Sequence, residues 1–267
     1  MTDKAAAPKG WIRGTMVAVA GVLAAGIIAF LLSPATTTTA ADEFTPAQKN
    51  EIGNIIRQYL LKNPEVIEEA VGVLQEHRQQ KAIDSNWDLI TSPHDSFIAG
   101  NPKGDVTVVE FFDYRCPYCK QVQSSLVKLR DQDPNLRVIY KEFPILSKES
   151  DVAAHAAIAA KKQGKYLEFH DAMMAARGNF SDDMIFSVAK KVGLDVDKLK
   201  KDMQDPSIDE IIAQTRKVAE DIGVTGTPGF IFGKKLVPGA VSYDEMLSLV
   251  ADARSTAKAA DNAPKAD

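Results

Sequence analysis

The spacing of hydrophobic and polar positions changes along the chain and predicts different elements in different regions. An uncharged apolar run comes first. Apolar residues then recur at helical spacing between Ile52 and Leu74, which predicts two amphipathic helices. Further on, residues 106–114 and 136–143 are β-branched and aromatic runs typical of buried strands. These patterns predict an α/β domain preceded by a short helical module.

The apolar run at residues 15–32 has the length of a marginal membrane span, and basic residues lie on its N-terminal side. By the positive-inside tendency, the N-terminus stays in the cytoplasm and the remainder is exported. Residues 1–41 then form either a cleaved signal peptide or an uncleaved anchor, followed by a low-complexity tether. We therefore expect a protein of the periplasm or of the extracytoplasmic face of the inner membrane.

The helical module is predicted at residues 42–84. Its first helix begins after Thr45, where an N-cap, a proline and a capping-box glutamine occur together, and a second helix begins after Asn63. Helices this short are marginal in water unless their apolar faces are covered. Docking on the main domain is one explanation. A homo-oligomer through residues 42–75 is the other, and it is favoured because the polar residues 75–92 have the composition of a spacer.

Composition and charge exclude several classes of protein. Apolar residues make up 45% and charged residues 25% of the chain, which are ordinary globular values and exclude a wholly disordered or polytopic membrane protein. The net charge is −4, and no basic stripe interleaved with aromatic residues indicates a nucleic-acid partner. Two cysteines are too few for a disulfide-dense miniprotein or a four-cysteine zinc site, so we expect no metal site and no cofactor.

Both cysteines lie where the first predicted strand leads into a helix, in the sequence Cys116-Pro117-Tyr118-Cys119. Unpaired N–H groups and the dipole at a helix N-terminus stabilise an anion, so Cys116 is expected to be a thiolate and the attacking sulfur. Cys119, one turn deeper, is expected to resolve the mixed disulfide. Pro117 and Tyr118 would shape the surface that a substrate contacts around an exposed sulfur. Copper(I) capture by the two thiolates stays open as a secondary role.

Glu110 lies inside the same, otherwise apolar, predicted strand. A buried carboxylate is costly unless it has a task or a partner, and burial raises its pKa. We expect Glu110 to be a catalytic residue that accepts or returns the proton of Cys119. A glutamate at a sheet edge in contact with water is the alternative.

The remainder of the chain is predicted as a long helical interval, a hairpin and a last helix. Residues 145–224 carry helix caps and apolar stripes almost throughout, and residues 230–238 have the pattern of a hairpin. A capping box at Ser242 opens a helix through Val250. The Ala/Lys/Asp-rich residues 254–267 are predicted to be a disordered tail.

Four stretches together form a characteristic set: Glu110-Phe111-Phe112, Cys116-Pro117-Tyr118-Cys119, residues 166–171 and Thr225-Gly226-Thr227-Pro228. In them the chain resembles the thioredoxin superfamily and, within it, the DsbA family of exported disulfide oxidoreductases, over roughly residues 85–253. The resemblance implies an α/β thioredoxin fold with a helical domain inserted at about residues 146–223. It also implies a catalytic Pro228 that is cis and faces the active-site sulfur, and a Thr227 whose backbone binds an extended substrate peptide.

The N-terminal helical module, the C-P-Y-C sequence and Thr227 are more narrowly similar to the ScsC-type branch, whose members can form oligomers and act as isomerases. Typical DsbA enzymes have histidine and valine where this chain has Tyr118 and Thr227, which argues against a simple oxidase. The resemblance implies an enzyme that forms or isomerises disulfides in cell-envelope proteins. Its partners would be reduced or misoxidised client proteins and a membrane redox partner that resets the cysteine pair. A non-enzymatic chaperone or copper(I)-binding protein is the alternative.

Overall fold

The computed structural model describes residues 44–94, 96–178 and 180–261. Its contacts divide the chain into two compact units, Met1–Ile67 and Glu68–Asp267. The predicted signal peptide or anchor and its tether, residues 1–41, lie outside the described residues. None of the helices in the described ranges is long and apolar enough to cross a membrane.

The described residues form helices and strands in a mixed order. The helices are α1 (Pro46–Lys62), α2 (Glu65–Ser85), α3 (Trp87–Thr91), α4 (Pro117–Gln132), α5 (Lys148–Lys161), α6 (Tyr166–Ala175), α7 (Asp182–Lys191), α8 (Val196–Asp202), α9 (Pro206–Asp221) and α10 (Tyr243–Asp261). The strands are β1 (Phe97–Gly100), β2 (Val106–Phe112), β3 (Leu136–Glu142), β4 (Gly229–Phe232) and β5 (Lys235–Pro238).

The first unit contains α1 and the start of α2. A complete capping box opens α1: Thr45 Oγ1 accepts a hydrogen bond from the Gln48 N–H, and the Gln48 side chain accepts one from the Thr45 N–H. The local prediction for this helix start is therefore confirmed. None of the residues of α1 is buried, and its apolar side chains, among them Ile55, Ile56 and Tyr59, are exposed.

The second unit is built on a five-stranded sheet in the order β1-β3-β2-β4-β5. Strands β2 and β3 are parallel and are connected through α4, whereas the other neighbours pair antiparallel. Strand β2 is central, which explains its nearly continuous apolar sequence, because both of its faces are covered. The edge strand β1 was not predicted.

Alternate residues of β2 contribute to two separate cores, one on each face of the sheet. On one face, Val108 and Phe112 pack with α4, the helices α5–α9 and α10. On the other face, Val109 and Phe111 pack with residues of α3, α9 and the end of α2, where Ile83 is buried. The helices α5–α9 lie between β3 and β4 in sequence, so the predicted α/β thioredoxin fold with inserted helices is confirmed.

The polar residues 75–92 are not the spacer that the sequence analysis predicted. Helix α2 continues to Ser85, α3 follows directly, and Ile83 and Ile90 are buried in the core below the sheet. One buried isoleucine in each of these two helices is enough to anchor an otherwise polar stretch to the core. The spacer argument for self-association therefore fails, and any oligomer must be argued from α1.

The predicted disorder at residues 254–267 is wrong for its first part, because α10 runs to Asp261. Alanine and lysine are strong helix formers, so the composition of this stretch also suits a helix. Tertiary contacts stabilise it as well: the Arg254 guanidinium donates hydrogen bonds to both oxygens of Asp105 and to Asp133, each 2.8 Å long.

Candidate active site

Cys116 is the N-cap of α4, at the end of the central strand. Its Sγ accepts a hydrogen bond from the backbone N–H of Cys119 at 3.4 Å, and Pro117 occupies the first helical position. Hydrogen bonds from the thiol and backbone N–H of Cys119 lower the pKa of Cys116 to about 6, against the opposing effect of partial burial. The sulfur is therefore largely a thiolate at neutral pH, as the helix-terminus argument predicts.

Cys119 has the opposite environment one turn into α4. Its side chain is fully buried, and this burial raises the pKa of its thiol, with further contributions from Cys116 and from the carboxyl of Glu110. The two cysteines are not joined by a disulfide. The pair is asymmetric because the pKa of Cys116 is lowered and that of Cys119 is raised.

The sulfur of Cys116 is less accessible than the sequence analysis expected, since only 3% of the residue is exposed. The loop before β4 covers it: the carbonyl oxygen of Thr227 lies 3.1 Å from Sγ, within reach of the thiol as a donor when it is protonated. The Thr227-Pro228 peptide bond is cis. Tyr118, by contrast, is 61% exposed beside the sulfur and is free to contact a partner.

Sheet register brings this loop to the sulfur. Strand β4 pairs antiparallel with β2 so that Gly229 lies opposite Phe111, at the end of β2 that leads to Cys116. A cavity of about 170 Å³ adjoins the loop and is lined by residues 223–229 together with Leu236, Pro238 and Gly239. This cavity could not be predicted from the sequence, because its walls come from the loop before β4 and from the region of β5, which are brought together only by the fold.

Glu110 is fully buried in the central strand, so the sheet-edge alternative is wrong. Burial, with a contribution from the charge of Cys116, raises the pKa of Glu110 to about 8. Neither carboxyl oxygen has a hydrogen-bond partner among the described residues. A buried carboxyl without partners is costly, which points to a function rather than to stability.

Asp113, which the sequence analysis did not single out, lies in the turn between β2 and Cys116. It is 2% exposed, and each of its carboxyl oxygens accepts two hydrogen bonds. The sequence offered one signal for this role: an aspartate directly after a strand is typical of a turn in which its side chain accepts the backbone N–H two residues later.

Lys120 also escaped the sequence analysis. Its Nζ donates to the carbonyl oxygens of Met173, Met174 and Ala176, at 2.9, 3.2 and 2.8 Å, and lies 4.6 Å from the ring centre of Phe180. Carbonyls at a helix C-terminus have no partner within the helix and can accept hydrogen bonds from a lysine. Lys120 therefore attaches α4, which carries both cysteines, to the end of α6. Burial lowers the pKa of Lys120 to about 8.

A buried polar cluster lies between β3 and α6. The hydroxyls of Tyr114 and Tyr166 donate to Glu142 Oε1, at 3.0 and 2.7 Å, and Tyr114 Oη lies 3.3 Å from His170 Nδ1. Burial raises the pKa of Glu142 and lowers that of His170 to about 3. The cluster joins the inserted helices to the sheet through hydrogen-bonded buried polar groups.

Within the described ranges, no group of three or more His, Cys, Asp and Glu residues is arranged to hold a metal ion.

Comparison with known families gives two matches along the chain. The family model for the DSBA-like thioredoxin domain matches residues 107–251. The model for the copper resistance protein ScsC N-terminal domain matches residues 48–82. Together they cover the second unit's redox site and most of the helical module.

Solved structures with a related fold include three that are informative. A thioredoxin-like oxidoreductase from Silicibacter pomeroyi is 43% identical, with a TM-score of 0.61, over 63% of this chain and 97% of that one. A linker-deletion mutant of ScsC from Proteus mirabilis is 27% identical, with a TM-score of 0.67, over 81% and 100%. The thiol-disulfide exchange protein α-DsbA2 from Wolbachia pipientis is 30% identical, with a TM-score of 0.64, over 67% and 97%.

Curated relatives are similar over a shorter part of their own length. The Na⁺/H⁺ antiporter NhaA 1 of Salinispora arenicola is 29% identical over 163 residues, which are 60% of this chain and 25% of that protein. The chain therefore spans about a quarter of the length of this relative.

Proposed function

Because the chain belongs to the family of DSBA-like thioredoxin domains, we propose that it is an exported thiol–disulfide oxidoreductase that forms or isomerises disulfides in client proteins of the cell envelope. The observation that carries this proposal is the asymmetry of the cysteine pair. Cys116 has a pKa of about 6, whereas burial raises the pKa of Cys119. One sulfur is ready to attack at neutral pH and the other is held in reserve as a thiol.

The reduction of a client disulfide then proceeds in two exchanges. The Cys116 thiolate attacks one client sulfur, forms a mixed disulfide and releases the other client sulfur as a thiolate. Cys119 loses its proton and attacks Cys116 Sγ, which releases the client's second thiolate and closes the Cys116–Cys119 disulfide. The client gains the two electrons that the pair loses. Oxidation is the reverse sequence, and in isomerisation a client thiolate resolves the mixed disulfide instead of Cys119.

Glu110 is proposed to handle the proton of Cys119. Its pKa of about 8 leaves part of the population ionised near neutral pH, so the carboxylate can accept this proton and the carboxylic acid can return it. Glu110 lies on the same face of β2 as Val108 and Phe112, and this face packs against α4, which carries Cys119. Glu110 lacks other hydrogen-bond partners in the described structure, which leaves it free for this task.

The surface around Cys116 is proposed to bind the client backbone. The Thr227 carbonyl oxygen lies 3.1 Å from the sulfur, and the bond from Thr227 to Pro228 is cis. Pro117 and the exposed Tyr118 follow Cys116 directly in the chain. An extended peptide that approaches Cys116 must therefore pass along Thr227, whose backbone offers polar groups to it.

Export and oligomerisation complete the proposal. The apolar run at residues 15–32 supports a location in the periplasm or at the extracytoplasmic face of the inner membrane, with a membrane redox partner that resets the pair.

The exposed apolar residues of α1 and the family match at residues 48–82 support a homo-oligomer through residues 42–75. Deletion of residues 42–75 should leave a monomer in light scattering, and an unchanged mass would contradict the oligomer.

Trapping of clients tests the enzymatic function. A Cys119→Ser variant cannot resolve the mixed disulfide, so we expect covalent adducts with client proteins that dithiothreitol releases. Cys116→Ser is the matched control and should give no adducts. Absence of adducts with Cys119→Ser, in cells where the wild-type protein is present and folded, would support a binding-only chaperone.

The direction of the reaction is tested by the steady-state form of the pair in intact cells. Acid quenching and mass-tagging of free thiols separate the two forms. A mostly oxidised pair assigns disulfide formation, because that reaction donates the Cys116–Cys119 disulfide. A mostly reduced pair assigns isomerisation or reduction, because Cys116 must be free to attack.

Copper(I) binding is a second candidate, favoured by the two neighbouring thiols and by the copper-resistance description of the matched N-terminal family. Competition with a copper(I) chelator tests it: binding should be lost in both single cysteine variants. Equal binding by wild type and the variants would remove this candidate.

A further inference from the structure

Tyr114 occupies a central position of the turn that carries the reactive sulfur. The N–H of Cys116 donates to the carbonyl oxygen of Asp113 at 3.0 Å and closes a four-residue turn, in which Tyr114 and Arg115 are the two central residues. Arg115 is exposed, whereas Tyr114 is only 1% exposed. The side chain of Tyr114 therefore connects this turn to the interior of the protein.

The hydroxyl of Tyr114 is part of the buried polar cluster at the end of β3. It donates to Glu142 Oε1 at 3.0 Å and lies 3.3 Å from His170 Nδ1. The hydroxyl of Tyr166 donates to the same oxygen of Glu142 at 2.7 Å. All four residues are buried. Because a buried hydroxyl is costly without a partner, these groups determine where the Tyr114 side chain lies.

Most of this cluster belongs to the inserted helices. Tyr166 and His170 are one turn apart on α6, whereas Glu142 is the last residue of β3. The His170 ring is itself enclosed, because the ring centres of Tyr140 and Phe112 lie 4.4 and 4.7 Å from its own. Helix α6 thus offers the Tyr114 hydroxyl a partner that packing holds in place.

Helix α6 is also bonded to the redox motif on the other side of Cys116 in the chain. Lys120, four residues after Cys116, donates from Nζ to the carbonyl oxygens of Met173, Met174 and Ala176. An anchor can position a turn only if the anchor is fixed relative to the helix that follows the turn. These three hydrogen bonds fix the end of α6 relative to α4.

We propose that Tyr114 is a positioning residue through which the inserted helix α6 holds Cys116 at the N-cap of α4. This inference rests on the proposed function and gives the inserted helices a part in it, because they orient the nucleophile. The Cys116 sulfur accepts the N–H of Cys119 only while Cys116 occupies the N-cap. Without the Tyr114 hydroxyl, the turn is held less firmly and this hydrogen bond weakens.

The test compares Tyr114→Phe with Tyr166→Phe in the reduced full chain. Each variant removes one buried hydroxyl that donates to Glu142 Oε1 and keeps the ring, but only Tyr114 lies in the turn before Cys116. The readout is the midpoint of the pH dependence of Cys116 alkylation. Tyr114→Phe should raise this midpoint by at least about half a pH unit, because a hydrogen bond that favours the thiolate weakens. Tyr166→Phe should lower the unfolding temperature and leave the midpoint unchanged.

The matched pair separates positioning from a general effect of the cluster, since Glu142 loses one donor in either variant. An unchanged midpoint in Tyr114→Phe, or an equal shift in both variants, would overturn the proposal. His170→Phe removes the other contact of the Tyr114 hydroxyl and should shift the midpoint in the same direction by less. Where Tyr114→Phe does not fold, an unchanged midpoint in His170→Phe overturns the proposal. A wild-type midpoint near the ordinary thiol value of about 8.5 would instead contradict the proposed function.

Discussion

Helices α1 and α4 begin with the same type of N-terminal sequence, but α1 is exposed and α4 is packed in the core. Each begins with proline in the first turn behind a capping side chain, and they have 17 and 16 residues. Helix α4 buries Cys119 and an apolar stripe that includes Leu126, whereas α1 buries none of its residues. Local sequence therefore determines where both helices begin, but the partner surface determines what their apolar faces do.

The difference has a functional counterpart. Burial between α4 and the sheet raises the pKa values of Cys119 and Glu110, whereas hydrogen bonds at the N-terminus of α4 lower the pKa of Cys116. The apolar face of α1 has no such role within its own unit, and it is the surface that we assign to self-association.

The largest expected effect distinguishes the two apolar faces directly. Leu126→Ala should lower the free energy of unfolding by about 2–5 kcal/mol, because it opens a cavity in the core between α4 and the sheet. Ile55→Ala in α1 should change it by less than about 0.5 kcal/mol when the chain is monomeric. Urea titrations followed by circular dichroism measure both. Equal losses would mean that α1 is covered in the monomer.

The next effect concerns the buried carboxyl beneath α4. The folded pKa of Glu110 is about 8 and the unfolded value is about 4.3, so the buried carboxyl destabilises the fold least at low pH, where it is protonated in both states. Its cost grows as pH rises from about 4.3 to about 8. Between these values the free energy of unfolding of the wild type should fall, relative to Glu110→Gln, by up to about 1.4 kcal/mol per pH unit.

Urea titrations of the reduced wild type and Glu110→Gln at several pH values give this difference. Comparison of the two proteins largely cancels the opposite contribution of Cys116, whose lowered pKa adds stability as pH rises. A difference that does not depend on pH would show that Glu110 is ionised in the fold.

The smallest effect tests the feature that both helices share. Thr45→Ala removes the side-chain oxygen that accepts the Gln48 N–H, and should cost about 1 kcal/mol of local helix stability. Hydrogen exchange of the first-turn amides of α1 measures this loss. Exchange rates in α4 should be unaffected, and a change there would contradict independent helix starts.

Much of the redox site followed from local pattern. A strand that leads into C-x-x-C places Cys116 at a helix start, and an apolar run buries Glu110. The cis bond before Pro228 was expected from the family resemblance and not from local pattern. The first two features depend on neighbours in sequence. The arrangement of all three around one sulfur depends on the register of β2 with β4, which no local pattern contains.

The features that escaped prediction depend on distant parts of the chain. Asp113 accepts hydrogen bonds from Ile145, Leu146 and Ser150, which lie more than 30 residues away in sequence. Ile83 is buried because the end of α2 packs against the face of the sheet that carries Val109 and Phe111. In both cases tertiary contacts, rather than composition, decide the environment of the residue.

The most direct test of the account is the pH dependence of thiol alkylation in the reduced protein, read for each cysteine by mass spectrometry. The account predicts that Cys116 is alkylated with a half-maximal rate near pH 6, while Cys119 stays unmodified in the folded protein across the same range. Alkylation of Cys116 with a midpoint near the ordinary thiol value of about 8.5, or equal modification of both cysteines, would contradict the asymmetry on which the proposed function rests.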